Sequence, residues 1–279
     1  MTNTRAFEMT IEIAVSPEAV WQALTDPTEV TRWFASHAEI VPGAGGKWMI
    51  SWDQNWPWNT EIEIWEPRRH LRLVDRASRP YDAHGKAALT SVEPLPIALD
   101  WHLEGTGGST SLRLVHSGFG RGGAWDDEFE GVSLGWQLEL NGLKHYLEAH
   151  RGEARRVAWS RTVVAAPTDV MWARFTGPGG IVGDPSVLEL GPGDRYATTL
   201  STGDRLEGRV VANIPGRGIQ VTVDGWSNAL YRLWIDRVGD KAAVNSWLST
   251  YGMPDAFAEQ FNARMRAEVE RVAALAPVA

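Results

Sequence analysis

The sequence of 279 residues contains no cysteine. This absence excludes disulfide bonds, thiolate nucleophiles, iron–sulfur clusters and zinc sites with cysteine ligands. It is typical of proteins in a reducing compartment, and we expect a cytoplasmic location. Long apolar runs are missing too, because no stretch approaches the roughly 20 residues of a membrane-spanning helix. The first ten residues lack the basic start and apolar stretch of a signal peptide.

Patterns that mark catalysis or metal binding are also absent. The histidines show neither HxxxH nor HExxH spacing, and the sequence contains no Gly-x-Ser-x-Gly elbow. Glycine-rich turns at 105–108 and 120–123 do not join a strand to a helix with phosphate-loop spacing. Asp100 and His102 are two residues apart on one predicted strand, and we interpret them as a pair on its outward face. We therefore expect no catalytic set, no metal and no cofactor.

Tryptophan, in contrast, is abundant, with 15 residues against 5 tyrosines. Ten tryptophans and all seven histidines lie in residues 1–150, which carry 12 Lys and Arg against 21 Asp and Glu. The sequence has no basic cluster or stripe, so nucleic acid is excluded as the expected partner. Because the first half is chemically richer, we expect any activity there. Four of its tryptophans surround one predicted hairpin: Trp48, Trp52, Trp56 and Trp58.

The chain contains an internal repeat. Residues 14–27 (AVSPEAVWQALTDP) resemble residues 164–178 (VAAPTDVMWARFTGP), with Trp21 and Trp172 at the same position. Apolar positions around 62–73 recur at an offset of 148, and residues 97–120 match 229–252 at an offset of 132. Three matches in the same order predict two copies of one domain, at 1–150 and 153–279. The second copy is shorter between its first helix and its next strand.

The pattern of each copy predicts a strand, short helices, several antiparallel strands and a long final helix. Met9 to Val15 alternate as in a half-buried strand, and Ser16 before Pro17 is a helix start. Asp26 caps a second short helix, whose inner face carries Val30, Trp33 and Phe34. Apolar residues spaced three and four apart over 129–147 predict a long helix packed on a sheet. The predicted fold class is α+β, with a curved sheet wrapped around one helix.

Six dispersed motifs follow one another in the first copy: SPEAVWQALTDP at 16–27, RWF at 32–34, GGKW at 45–48, EP at 66–67, HSGF at 116–119 and GW at 135–136. Together with the order of elements, they resemble the helix-grip fold of the START-like (SRPBCC) superfamily, and more narrowly its Hsp90-ATPase-activator-homologue (AHSA1-like) branch. They cover most of 7–150. The second copy is similar only at its ends, since 177–193 replaces a short helix and a strand. We expect it to be a degenerate copy. Superfamily members share a cavity between sheet and long helix, and the resemblance implies one in the first copy.

Alternation predicts which residues face that cavity. Trp101 continues an apolar row on one strand, and His116 ends another row, so His116 is the best polar candidate. Core packing is the more common role of any single tryptophan, and a structural role is the more common one for a lone histidine at the end of an apolar strand. The predicted ligand-binding residues are Trp48, Trp52, Trp101, Leu114, His116, Phe119, Trp136 and Leu140.

Three functions remain open. The first is non-catalytic binding of a small hydrophobic or aromatic molecule in the first copy, favoured because no catalytic set exists. The second is a chaperone-associated or other protein-binding module that uses the Trp48–Trp58 hairpin. The third is a cyclase- or hydrolase-type enzyme in which His116 and cavity water act as acid and base. The short connection at 149–154 predicts that the two copies pack as an intramolecular pseudo-dimer.

Overall fold

In a computed structural model, which describes residues 4–52, 57–80 and 89–275, the chain divides into two compact units. They comprise residues 1–152 and 153–279. Each unit contains one antiparallel sheet and one long carboxy-terminal helix, which confirms the α+β helix-grip fold in tandem. No helix of the described part of the chain combines the length and the apolar character needed to cross a membrane.

The first unit has a seven-stranded sheet with the order β1-β7-β6-β5-β4-β3-β2. Its two short helices follow the first strand, and its long helix follows the last one. The elements are β1 (Arg5–Ile13), α1 (Pro17–Thr25), α2 (Pro27–Thr31), β2 (His37–Val41), β3 (Lys47–Ser51), β4 (Pro57–Glu66), β5 (His70–Ser78), β6 (Leu95–Thr106), β7 (Ser109–Phe119) and α3 (Ala124–Ala149).

The two short helices begin where their capping residues predict. Ser16 Oγ accepts a hydrogen bond from the Ala19 amide, at 3.4 Å. Asp26 Oδ1 accepts from the amides of Thr28 and Glu29, at 2.8 and 3.1 Å, which satisfies two of the free donors at the start of α2. These caps position α2 so that the residues after it, Trp33 and Phe34, are buried against the sheet.

The long helix α3 buries the predicted stripe along its last four turns. Trp136, Leu140, Leu143 and Leu147 are all buried, whereas Phe129 near the start of the helix is half-buried. A hydrogen bond of 2.6 Å from the Tyr146 hydroxyl to Glu29 Oε2 ties the end of α3 to α2. α3 therefore spans the inner face of the sheet and ends beside the short helices.

The second unit has a six-stranded sheet with the order β8-β13-β12-β11-β10-β9. Short 3-10 helices lie at Pro185–Glu189 and Asp224–Trp226. The other elements are β8 (Arg155–Val164), α4 (Thr168–Thr176), β9 (Arg195–Thr199), β10 (Arg205–Ile214), β11 (Gly218–Val223), β12 (Ala229–Val238), β13 (Lys241–Tyr251) and α5 (Asp255–Ala273).

The repeat extends to backbone detail. A β-bulge lies after Ile62 in β4 and after Val210 in β10, two residues 148 apart. The Ile62 amide donates to the carbonyl of Gly46, as the Val210 amide donates to that of Asp194, both at 2.9 Å. Since bulges bend strands and fix register, both sheets have the same bend at the same place.

The edge of the sheet differs between the units, as the sequence comparison indicates. In the described part of the second unit, strand β2 and helix α2 have no counterpart, and the Pro185–Glu189 helix stands in that stretch. The sequence analysis did not identify β2 in the first unit. Its five residues alternate between exposed and half-buried, which is too short a pattern to distinguish from a loop.

Close packing of α3 on the sheet does not explain the glycines at 131 and 135. Close packing on the sheet is the usual reason for glycine in a helix interior, because the residue costs about 1 kcal/mol relative to alanine. However, a Cβ atom built at Gly131 or Gly135 would meet no atom within 4 Å. The close-packing explanation is therefore wrong for these two positions.

We expect Gly131→Ala and Gly135→Ala each to raise the free energy of unfolding of the first unit by about 1 kcal/mol, because alanine loses less backbone entropy in a helix. Urea unfolding followed by circular dichroism measures the change. Gly118→Ala is the matched control of opposite sign, since its φ is +101° and its Cβ would lie 2.1 Å from the Pro96 carbonyl oxygen. Destabilisation by both helix variants would contradict the open space seen around them.

Candidate functional site

The inner face of the first sheet carries the rows that alternation predicts. Trp101 in β6 is 1% exposed and lies opposite Leu114 of β7 in the register. His116 ends the next row at 5% exposed, opposite Leu99. The buried members of these two rows are Ile97, Leu99, Trp101, Leu103, Leu112, Leu114 and His116.

Trp136 of α3 is the centre of an aromatic cluster on this face. Its ring centroid lies 5.2 Å from that of Trp101, 5.3 Å from that of Phe34 and 6.0 Å from that of His116. Its indole nitrogen Nε1 donates a buried hydrogen bond of 2.8 Å to His116 Nδ1. A buried, directed hydrogen bond thus joins helix α3 to the inner face of the sheet within a set of ring contacts.

Tryptophans of the predicted hairpin also belong to this aromatic cluster. Trp58 lies between Trp48 and His116, with ring centroids 5.9 and 5.6 Å away. Trp48 is 2% exposed and donates its indole N–H to the Leu24 carbonyl at 3.0 Å, and Trp52 packs on Phe34 at 5.3 Å. Trp56 lies outside the described residues. Trp48 therefore belongs to the interior, whereas Trp52 and Trp58 are half-buried beside it.

Phe119 and Leu140 complete the predicted set. Phe119 contacts His116 at a centroid distance of 4.8 Å and also packs on Trp125 and Phe129. Leu140 is fully buried one turn after Trp136. Two further rings touch members of the predicted set. Phe34 was predicted only as a core residue, and Trp58 was not among the predicted ligand-binding residues. Phe34 belongs to the RWF motif and Trp58 to the tryptophan hairpin, and these are the signals that mark them.

Burial makes His116 chemically unusual. Complete desolvation lowers the pKa of its imidazole from 6.5 to about 3, so the ring is neutral near pH 7. Its Nδ1 accepts from Trp136, and its Nε2 has no hydrogen-bond partner among the described residues. The indole nitrogen of Trp101 is likewise buried and without a partner in the described part of the chain. Two unsatisfied polar atoms therefore lie on rings that both contact Trp136.

A second cluster lies on the outer face of the same sheet. Asp100 is buried there, with Oδ1 2.7 Å from His70 Nε2 and Oδ2 2.5 Å from a guanidinium nitrogen of Arg72. The His70 and His102 rings stack at a centroid distance of 4.2 Å. The pKa of His102 is lowered, first by desolvation and then by the charges of His70 and Arg113. The outward position of Asp100 and His102 is confirmed, but the sequence analysis missed His70 as their partner.

The second unit has apolar or uncharged residues at the positions of the inner cluster. At the repeat offset of 132, Leu233 corresponds to Trp101 and Leu248 to His116. Both leucines are fully or almost fully buried. Tyr196 corresponds to Trp48 at the offset of 148, and its hydroxyl donates to the Thr222 carbonyl at 2.8 Å.

Comparison with known proteins finds one family to which the first unit is similar. Residues 14–148 match the model of the family described as Activator of Hsp90 ATPase homolog 1-like protein. No curated protein is similar to the chain in sequence.

Several solved structures are similar to the chain. Protein MLL2253 from Mesorhizobium loti is 23% identical, with a TM-score of 0.44, over 52% of this chain and 98% of its own. The di-domain ARO/CYC BexL from the BE-7585A biosynthetic pathway is 17% identical, with a TM-score of 0.43, over 98% of this chain and 100% of its own. The Aha1 dimer from Colwellia psychrerythraea is 18% identical, with a TM-score of 0.42, over 53% of this chain and 99% of its own.

The matched segment begins directly after β1 and contains both short helices, the six strands β2 to β7 and almost the whole of α3. It includes every residue of the inner aromatic cluster. Over residues 14–148, the first unit is therefore similar to the family described as Activator of Hsp90 ATPase homolog 1-like protein.

Proposed function

We propose that the first unit binds a small hydrophobic or aromatic molecule between its sheet and α3. The observation that carries the proposal is the buried Nε2 of His116, which has no hydrogen-bond partner among the described residues. A buried polar group without a partner costs roughly 1–3 kcal/mol. The fold alone therefore gains little from such a group. A hydrogen-bond acceptor on a bound molecule would pair with it.

The hydrogen bond to Trp136 fixes which kind of group Nε2 is. Indole nitrogen only donates, so Nδ1 of His116 must be the acceptor and carries no proton. Because the ring is neutral, its single proton is on Nε2. His116 therefore presents an N–H donor, oriented by Trp136, to the aromatic interior.

Trp101 supplies a second donor of the same kind. Its Nε1–H is buried without a partner in the described part of the chain, and its ring packs edge-on against Trp136. Two N–H donors within an aromatic surround favour a flat apolar molecule that carries carbonyl or ether oxygens. This narrows the proposed ligand from any hydrophobic compound to an oxygen-substituted aromatic one.

The alternative functions have less support. A protein-binding hairpin needs exposed tryptophans, whereas Trp48 is buried and Trp58 packs against it and His116. An acid–base enzyme needs a group whose pKa is near the working pH, and a pKa of about 3 leaves His116 a weak base. Binding requires neither exposure of the hairpin nor proton transfer.

The matched probes 2-acetylnaphthalene and 2-ethylnaphthalene test the proposal, since they differ only in the carbonyl oxygen. We expect the acetyl compound to bind about tenfold more tightly, because only its oxygen can pair with a buried N–H. Quenching of tryptophan fluorescence in the intact protein measures both affinities, and native mass spectrometry gives the stoichiometry.

Variants then locate the binding. Trp101→Phe keeps a ring but removes one N–H donor. His116→Leu introduces the residue found at the corresponding position of the second unit. Both variants should reduce the preference for the acetyl compound over the ethyl compound. His102→Leu on the outer face is the matched control and should leave the preference unchanged. If neither probe binds, or if both bind equally to all four proteins, the proposal fails.

The neutral state of His116 also makes stability depend on pH. Its folded pKa of about 3 lies below the ordinary 6.5, so only the unfolded chain takes up this proton between these values. Above pH 6.5 this group does not lower the free energy of unfolding. Below pH 6.5 the free energy of unfolding falls by about 1.4 kcal/mol for each unit by which the pH is lowered, which amounts to about 2 kcal/mol at pH 5. His116→Gln can still accept from Trp136 but does not titrate. Urea unfolding between about pH 7 and pH 5 should therefore show a shallower loss in this variant, and equal slopes would contradict the assignment.

A further inference from the structure

We propose that His70, Asp100 and His102 form a binding site for a divalent transition-metal ion of the Zn²⁺ type on the outer face of the first sheet. The three side chains each offer one ligand atom, and these atoms lie within 4.8 Å of one another. Two imidazoles and one carboxylate are a common protein donor set for Zn²⁺ and its neighbours in the first transition row.

The sheet itself brings the donors together. Asp100 and His102 are two apart on β6, so their side chains leave the same face. His70 on β5 pairs directly with His102 in the register, while Arg72 pairs with Asp100. All three donors are therefore carried by two hydrogen-bonded strands in the middle of a seven-stranded sheet, where the backbone is fixed.

The distances require only side-chain movement. Ligand bonds of about 2.0–2.1 Å in a tetrahedral site place donor atoms roughly 3.4 Å apart. His70 Nε2 and Asp100 Oδ1 are now 2.7 Å apart in a hydrogen bond, and they must separate slightly to admit an ion. The other two pairs of ligand atoms, which both involve His102, lie within 4.8 Å. Rotation of the histidine side chains would bring the atoms of these pairs to about the same 3.4 Å.

Neighbouring charged side chains orient the carboxylate of the site. Arg72 holds Asp100 Oδ2 at 2.5 Å and is itself held by Glu63 at 2.8 Å, which orients the carboxylate and leaves Oδ1 for the ion. The His70 and Arg72 side chains are 19% and 32% exposed, so an ion can reach the site from solvent. Three protein ligands leave a fourth position for water or for an anionic group of another molecule.

The site lies on the opposite side of the sheet from the inner aromatic cluster, so it stands independently of the proposed function. In the second unit, Gly218, Arg232 and Trp234 occupy the corresponding positions and offer none of these ligands. Each chain should therefore bind one ion here, and it should bind in the first unit.

Isothermal titration with ZnCl₂ of the chelator-treated full chain tests this inference, with MgCl₂ as a control cation that prefers oxygen ligands. We expect one Zn²⁺ per chain and no comparable heat from Mg²⁺. His70→Asn and His102→Asn keep a polar side chain of similar size, and each should weaken Zn²⁺ binding at least tenfold. His37→Asn, on the exposed strand β2, is the matched control and should bind as the unaltered chain does.

Replacement of Zn²⁺ by Co²⁺ gives a second measurement that does not depend on binding heat. Histidine nitrogen ligation produces visible absorption bands of Co²⁺, which should vanish in the His70 and His102 variants and remain in the His37 variant. Far-UV circular dichroism checks that each variant is folded. Absence of Zn²⁺ binding to the unaltered chain, or equal binding by all four proteins, would overturn the site.

Discussion

The contact between Trp136 and His116 is the interaction on which the first unit depends. It is the directed bond, of 2.8 Å, between the long helix and the inner face of the sheet, and the rings of Phe34, Trp101 and Trp58 pack around this pair. Ring stacking alone leaves the rotation of a helix over a sheet loosely defined, whereas a buried hydrogen bond has one acceptable geometry. The same bond keeps Nδ1 of His116 without a proton and so decides what its other nitrogen can do.

The two units show what the fold needs and what it does not. They share a bulge, its flanking hydrogen bonds and the order of strands, and these are requirements of the backbone. They do not share the polar pair in the interior, since Leu248 replaces His116. An apolar residue satisfies the core at that position without an unpaired donor. The binding proposed for the first unit would account for this difference, because a bound acceptor would pair with Nε2 of His116.

Much of the architecture could be predicted from the sequence because the signals are local. Ser16 and Asp26 predict both helix starts, the spacing over 129–147 predicts α3, and alternation predicts that Trp101 and His116 face inward. The prediction missed β2, which is too short for its pattern to be recognised. The open space beside Gly131 and Gly135 could not be predicted either, because distant parts of the chain decide whether another atom approaches a helix.

The sequence by itself determined the elements, the repeat and the face on which each side chain lies, since these follow from periodicities of two and of about 3.6 residues. Only the tertiary structure decided the partners. Alternation places His70 and Asp100 on outward faces, but residues 79–94 separate their strands, and a connection of that length does not predict the register between them. The pairing of His116 with Trp136 likewise depends on how α3 crosses the sheet. Contacts between residues distant in sequence are set by packing, and that information is not carried by any one segment.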